Sequence, residues 1–524
     1  MSSGGDGAPP QVSKSASGLN SSISYARPIV TSQRRCERWL YVRSDPASAS
    51  LHTKVAVRSN LPPDVPYLRN QLWINWGRTA RCAPEFTFYP RSVDDLQQIV
   101  HFARATGRKL RVAASGHSWS ALVPTNEILV SIRHLNQVVM DLSDGTNPQV
   151  VIGSGATARD VNDVLERYGY ALPLNVVLES VRYGGLIATG SHGSGWNNST
   201  LSDLVSAIEI VTASGELRRF QMGVDSDDIM NAARLNLGLF GITYRVALKV
   251  QKSWHVRAVD QRVPIERTLD HLSEWVPSHE NFDLFWWPFC DQFWIKTWDR
   301  TEAEITAKPR QSSVSRLRDA IGARVLGAGI ALDCRFPRLT PAMSQALFKA
   351  TPSRRDQTVD IVEAVHYRRS IEATKMGCVE VAFKIDPTFD NVKWAIEIVR
   401  DMTRTRAAHL EYPLNVTMNV RFIRNSNCWL SPAYGAGHTC YIEILSGIHT
   451  RGWKQFSGEV AQQWLQLLQA RPHWAKEFRH IPGIVPYLRR EMGANIARFN
   501  EIKERLQVDP DQMFVNDDVE EIFL

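Results

Sequence analysis

The sequence predicts an α+β protein of more than one domain, and three observations carry this. At 524 residues the chain exceeds what one hydrophobic core usually serves. Its first half alternates short apolar strands with capped amphipathic helices. Its second half, from about residue 256, carries aromatic-rich and alternating strands separated by long helices, the pattern of an antiparallel sheet with helices on one face.

An arm over residues 1–70 comes first. It opens "MSSGGDGAPPQVSKSASGLNSSIS", has no apolar core and reads as disordered. Nine Lys/Arg against four Asp/Glu in those 70 residues supply most of the formal charge of +7, so the basic balance belongs to the arm and not to a nucleic-acid-binding face. The arm lacks the apolar stretch of a signal peptide, and its Ser- and Arg-containing composition fits a flexible tail or an organelle transit peptide. No apolar run reaches the roughly 18–20 residues of a membrane span. The seven cysteines are scattered without any C-x-x-C, which argues against a disulfide framework or zinc site and for a reducing, cytoplasmic setting.

The ordered part begins near residue 71. "SVDDLQQIVHFARATG" predicts a helix with Val93, Leu96, Val100 and Ala103 on one face, capped by Ser92 with Asp95 and closed by Gly107. The strand "KLRVAA" follows and runs into "SGHSWS". His117 thus lies past a strand's C-terminal end, where α/β folds place ligands. By itself a histidine in a Gly/Ser turn reads as a solvated loop residue. A second unit repeats the order: strand "PQVVIGSG", then helix "ATARDVNDVLERYG" with Val161, Val164, Leu165 and Tyr168 facing inward. "ESVRYGGLIATGSHGSG" then places five glycines between Gly184 and Gly195. Such a loop lets backbone N–H groups approach an anion closely. It is neither a Walker A nor a G-x-G-x-x-G sequence. Two strands joined at Ser214-Gly215 and the strand "GITYRVALKV" close this half. The aromatic pair "FDLFWWPFCDQFWIKTWDR", the strands "VEVAFKI", "NVTMNVRFI" and "CYIEIL", and a helical C-terminus make up the rest.

Four segments in fixed order carry a family resemblance: "SGHSWS", "GGLIATGSHGSG", "VRFIRNSNCWLSPAYGAGHTCYIEI", and "RPHWAK" followed by "DPDQMFVN". Over about residues 75–524 the chain resembles the aldonolactone and alditol oxidases of the vanillyl-alcohol-oxidase flavoprotein superfamily. The resemblance implies a two-part FAD-binding domain over residues 71–255 and a substrate (cap) domain over 256–470. A segment over 471–524 would complete the FAD domain and the active site. It implies oxidation of a CH–OH group of a sugar-derived lactone, polyol or similar molecule by hydride transfer to flavin N5. It implies FAD held covalently through His117. Ser115, Gly116, Ser118, Val176, Gly185, Gly190, Ser191, His192, Gly193 and Ile242 would line the cofactor. Arg421 and Lys476 match the site arginine and lysine, where cations stabilise developing negative charge. Without the resemblance, both read as surface residues. His473 fits a structural role as well as a catalytic one. O2 or another acceptor reoxidises the flavin; no nucleic acid, metal or transmembrane segment is expected.

Three departures bear on chemistry. The family's E-x-R reads Asn419-Val420-Arg421 here, Arg182 stands where a small residue is usual, and Glu443 occupies a position where His or a neutral residue is usual. Asn419, Glu443 and Arg182 therefore join Arg421 and Lys476 as candidate site residues, and an anionic or larger substrate is the alternative to a plain sugar lactone. A flavin-binding scaffold without catalysis is a third reading. Val176 falls where family oxidases carry glycine, which points toward a dehydrogenase.

Overall fold

Local capping sets the first elements as the sequence suggests. In the computed structural model, the described residues are 61–306, 324, 327–366 and 375–524. Up to residue 60 the expected arm lies outside them. Ser92 accepts the Asp95 backbone N–H at 3.1 Å and starts the helix Val93–Ala105. The strand Leu110–Ala113 then pairs in parallel with Ile128–Ser131. Thr157 and Asp160 form a reciprocal capping box for the helix Ala158–Tyr168, which Gly169 ends at φ 70°. Val161 and Leu165 are buried as expected. Tyr168 is not: it is the last helical residue, and the left-handed turn behind it leaves its ring 46% exposed.

A five-stranded antiparallel sheet follows, in the order Leu217–Gln221, Val205–Val211, Ile242–Lys249, Gln149–Gly153, Val138–Asp141. The glycine-rich segment departs from expectation. Residues Tyr183–Ala188 form a short helix, and the N–H groups of Tyr183, Gly184, Gly185 and Leu186 bond to the carbonyls of Ala156, Ser154 and Arg182. Two of the segment's glycines allow close packing: a Cβ at Gly184 would lie 2.6 Å from Ile132 Cδ1, and one at Gly193 2.6 Å from the Asn175 carbonyl oxygen.

The second half builds one eight-stranded sheet, in the order Arg354–Asp360, His255–Pro264, Gln292–Thr301, Phe282–Trp286, Thr417–Arg424, His438–Gly447, Met376–Lys384, Arg471–Pro472. Its neighbouring strands pair antiparallel. The helices Asp390–Ala408 and Trp453–Leu468 pack together beside the Met376–Lys384 strand. Helices Ile484–Glu491, Gly493–Leu506 and Asp517–Phe523 end the chain. A continuous apolar cluster runs from Val150 and Ile208 in the first half to Val420, Trp464 and Phe523 in the second. Among the described residues no helix is long and apolar enough to cross a membrane. The described cysteines are all free.

Candidate active site

The turn after Leu110–Ala113 holds His117 between aromatic rings. Gly116 takes φ +65°, a left-handed conformation suited to glycine. Its carbonyl accepts the Trp76 N–H at 2.7 Å. The His117 imidazole stacks on Trp76 with centroids 4.4 Å apart and meets Trp119 edge-on at 5.9 Å. Burial, then the positive charges of Lys476 and Lys375, push His117 down to about 3, so at neutral pH its ring is uncharged. The backbone N–H groups of Ser115, Gly116 and His117 make no hydrogen bond to any described residue.

This turn opens on two adjoining cavities of about 140 and 340 Å³. Ser115, His117 and Arg182 line both, while Gly116, Gly185 and Ser191 line the narrower one. A Cβ at Gly185 would stand 3.0 Å from that of Ala114, across the cleft floor. Uncommitted N–H donors, a neutral imidazole and small residues where side chains would intrude fit a flavin dinucleotide.

A second cluster adjoins the turn through two contacts. Trp119 N–H donates to the Ala475 carbonyl at 2.7 Å, and the Lys476 ammonium lies 4.9 Å from the Trp119 ring centroid. Lys476 donates to Glu443 Oε2 at 2.9 Å, lies 3.4 Å from Glu380 Oε2 and 3.3 Å from Cys378 Sγ. Arg421 stands 3.7 Å from Glu443 and 3.9 Å from Asp283. Asn419 Nδ2 donates to Glu443 Oε1 at 3.1 Å. Strand register explains the convergence. Glu380, Glu443 and Asn419 are direct partners across three neighbouring strands, so their side chains share one face, and Arg421 follows Asn419 by two residues onto it. Arg421 also ends a row of cross-strand partners of alternating charge: Arg355, Asp260, Lys296, Asp283, Arg421.

Electrostatics fix the charge states of this cluster. Burial works against the Lys476 ammonium, but the neighbouring Cys378, Glu380 and Glu443 hold it well above its ordinary range. Burial likewise opposes ionisation of both glutamates. Lys476 outweighs it, with His192 beside Glu380 and Arg421 beside Glu443, and both carboxyls stay low. Asp283 goes the other way: burial raises it more than Arg421 lowers it, and its Oδ1 has no hydrogen-bond partner among the described residues.

Not every candidate reaches its expected place. Ser115, Gly116, His117, Ser118, Gly185 and Ser191 line the cleft, and Arg421, Lys476, Asn419 and Glu443 converge. Arg182 sits apart from that cluster, in the cleft beside Ser115 and Arg133. His192 belongs with the cluster: it stacks on Tyr441 at 3.6 Å and its Nε2 is 3.3 Å from Glu380. Ile242 turns into the core because strand alternation gives the cleft to its neighbours Gly241 and Thr243. Gly190 and Gly193 pack against Leu235 and Asn175. Val176 lies half-buried against the main core, outside the residues lining either cavity. Sequence reasoning missed Glu380 and Asp283. A signal existed: each is the lone acid within an apolar strand, "VEVAFK" and "FDLFWW".

Three imidazoles give the fold a pH dependence. Burial, ahead of nearby charges, depresses His117 and His473 to about 3 and His480 to about 4. The unfolded chain takes up protons near pH 6.5 that the folded imidazoles refuse, so each lends stability that is full above that pH and lost as pH falls toward the folded value. His480→Gln, remote from the cofactor cleft, should therefore flatten the decline of stability between pH 7.5 and 5.5 by up to about 1 kcal/mol. Urea unfolding at the two pH values measures it, and equal slopes in both proteins would refute it.

Residues 84–221 match the family model "FAD binding domain", and residues 246–522 match "D-arabinono-1,4-lactone oxidase". The chain belongs to the D-arabinono-1,4-lactone oxidase family. This is the aldonolactone-oxidase branch of the vanillyl-alcohol-oxidase flavoproteins, and its members include FAD-dependent oxidoreductases. Similar relatives include the L-gulono-1,4-lactone dehydrogenase of Mycobacterium tuberculosis, 27% identical over 452 residues, covering 85% of this chain and 97% of that protein. The L-gulonolactone oxidase of Scyliorhinus torazame is 26% identical over 467 residues, covering 86% and 97%. Among solved structures, cholesterol oxidase from Brevibacterium sterolicum superposes with a TM-score of 0.70 at 17% identity, covering 89% of this chain and 98% of that one. That likeness concerns the α+β fold alone, as expected for this family.

Proposed function

We propose that this family member oxidises a CH–OH group of a neutral, sugar-derived lactone or polyol, with FAD held covalently by His117. Residues 71–255 and 471–524 serve the cofactor in this reading, and 256–470 the substrate. The observation that carries it is the adjacency of the His117 turn to the Lys476–Arg421 cluster, joined through Trp119 and Ala475. Bound flavin supplies a two-electron acceptor for the hydride leaving the substrate carbon. The protein supplies position and charge. Lys476 and Arg421 bind substrate oxygens and stabilise negative charge as the hydroxyl loses its proton. Glu443 holds both cations, Glu380 braces Lys476, and the buried strand face excludes water. The neutral imidazole of His117 has the lone pair that a bond to the flavin 8α carbon needs.

Charge balance favours a neutral substrate over an anionic one. Two cations face two ionised glutamates, and Arg182, the residue that suggested an anion, lies outside the cluster. The test of the whole reading is the flavin itself. Acid precipitation of the purified protein should leave the yellow colour in the pellet, and His117→Ala should release it. Colour fully extracted from the wild type refutes the covalent bond; protein that is colourless and takes up no added FAD refutes the reading.

The electron acceptor gives a further prediction. Val176 lines neither cavity but stands where the resemblance puts glycine in family oxidases; in this reading its branched side chain slows the approach of O2, and the similar M. tuberculosis protein is named a dehydrogenase. A dye should outperform O2, and Val176→Gly should raise the O2 reoxidation rate about 10-fold, a barrier change of roughly 1.4 kcal/mol. Flavin reduction by substrate should be nearly unchanged. Stopped-flow reoxidation decides it; equal rates in both proteins would remove Val176 as the gate.

A further inference from the structure

Arg182 and Arg133 face the wider cavity together, beside Ser115 and His117. Two loops force them into proximity. The turn Ile132–His134 follows the parallel strand Ile128–Ser131, and Gly155 packs so closely on it that a Cβ there would lie 1.9 Å from the Ile132 carbonyl oxygen. Arg182 Nη1 donates to the Gly155 carbonyl, which holds the half-buried guanidinium at the cleft mouth. Arg133 Nε donates to Ser131 Oγ at 3.0 Å, and its guanidinium carbon sits 5.0 Å from the Tyr89 ring centroid.

Neither arginine has a carboxylate within salt-bridge distance among the described residues. Asp160, an acid acting on Arg182, spends its Oδ2 on the Thr157 N–H and hydroxyl at 2.9 and 2.8 Å. Burial and the charge of Arg133 both work against the Arg182 guanidinium, and Asp160 offsets them only in part. The cation cluster at Lys476 shows the contrast: there every positive group faces an acid. Next to the arginines lie the unbonded N–H groups of Ser115, Gly116 and His117. Two forked cations beside three successive free amide donors are the groups an anion site needs.

We infer that Arg133 and Arg182 clamp a diphosphate-class anion at the cleft mouth. The fork of Arg182 meets one phosphate in bidentate fashion, Arg133 screens it from the solvent side, and the Ser115–His117 amides take the remaining oxygens. Two sources share this chemistry: the diphosphate of the bound FAD, and a free diphosphate. The inference rests on FAD occupying the cleft.

The measurement is FAD retention in the His117→Ala holoprotein, read from the fluorescence of FAD released on dilution. Arg182→Met and Arg133→Met are compared with their parent, and inorganic pyrophosphate serves as probe. If the cofactor is the source, each variant loosens FAD about 10-fold or more, as expected for a lost charge-assisted hydrogen bond. Added pyrophosphate should then speed release from the parent and not from the variants. If a free anion is the source, FAD retention is unchanged, and pyrophosphate raises the melting temperature of the parent but of neither variant. Arg133 is exposed, so its variant tests the idea even if Arg182→Met folds poorly; Arg182→Lys, which keeps the charge and loses the fork, should fall between. Retention and pyrophosphate response both unchanged in Arg133→Met and Arg182→Met would overturn the clamp. A parent protein without any flavin would instead overturn the FAD reading.

Discussion

Lys476→Met is expected to slow flavin reduction by substrate at least about 10²-fold, the usual cost of removing one positioned donor at a developing charge. The same change should lower stability by about 3 kcal/mol, because it strands Glu443 and Glu380 beside each other in the interior. The two effects need separating. Lys476→Met with Glu380→Gln removes one of the stranded charges along with its partner and leaves Glu443 in place, so stability should recover in part while the rate stays low. Single-turnover flavin reduction and urea unfolding, run on protein of equal FAD content, make the comparison. A rate that recovers together with stability would mean that Lys476 holds the fold and does not touch the substrate. Arg421→Ala should behave similarly in rate. Its stability cost should be smaller, since Asp283, which burial already favours in its neutral form, can stay protonated without it.

How far the sequence reaches into this site depends on the scale of each signal. Caps and periodicity are local, and Ser92, Thr157 and Gly169 act where the sequence places them. The α+β layout was legible for the same reason, because alternation and apolar helix faces are properties of single elements. Register is not local. Nothing in "VEVAFK" says that Glu380 stands opposite Glu443, or that Asn419 stands opposite Glu443 on the other side. That depends on how three strands far apart in sequence align. Arg182 fails for a related reason. Its departure from the family pattern was visible, but only the Gly155 carbonyl, reached through a separate loop, puts the guanidinium beside the cleft and away from the Lys476 cluster. Glycine has two uses, approach to a ligand and close packing of neighbouring segments, and the sequence does not say which applies where: Gly185 lines the cleft, while Gly193 packs against the Asn175 carbonyl.

The register between Asn419 and Glu443 yields the second large expected effect. The family's acid at 419 is an amide here, and the residue directly across the strand pair is a glutamate. Direct cross-strand partners bring their Cβ atoms to about 5 Å, so a carboxylate on either strand can reach the same point between Lys476 and Arg421. Glu443→Gln should cut the rate of flavin reduction about 10²-fold, because both cations lose the group that orients them. Asn419→Glu added to Glu443→Gln restores the acid from the opposite strand and should recover the rate to within about 10-fold of wild type. Asn419→Glu alone places two buried carboxylates face to face, so it should lose stability and raise the apparent pKa of the pair in the pH–rate profile. A double variant as slow as Glu443→Gln would show that the carboxylate acts from one strand only. In that case Glu443 touches a substrate atom that position 419 cannot reach, and its role is contact instead of orientation.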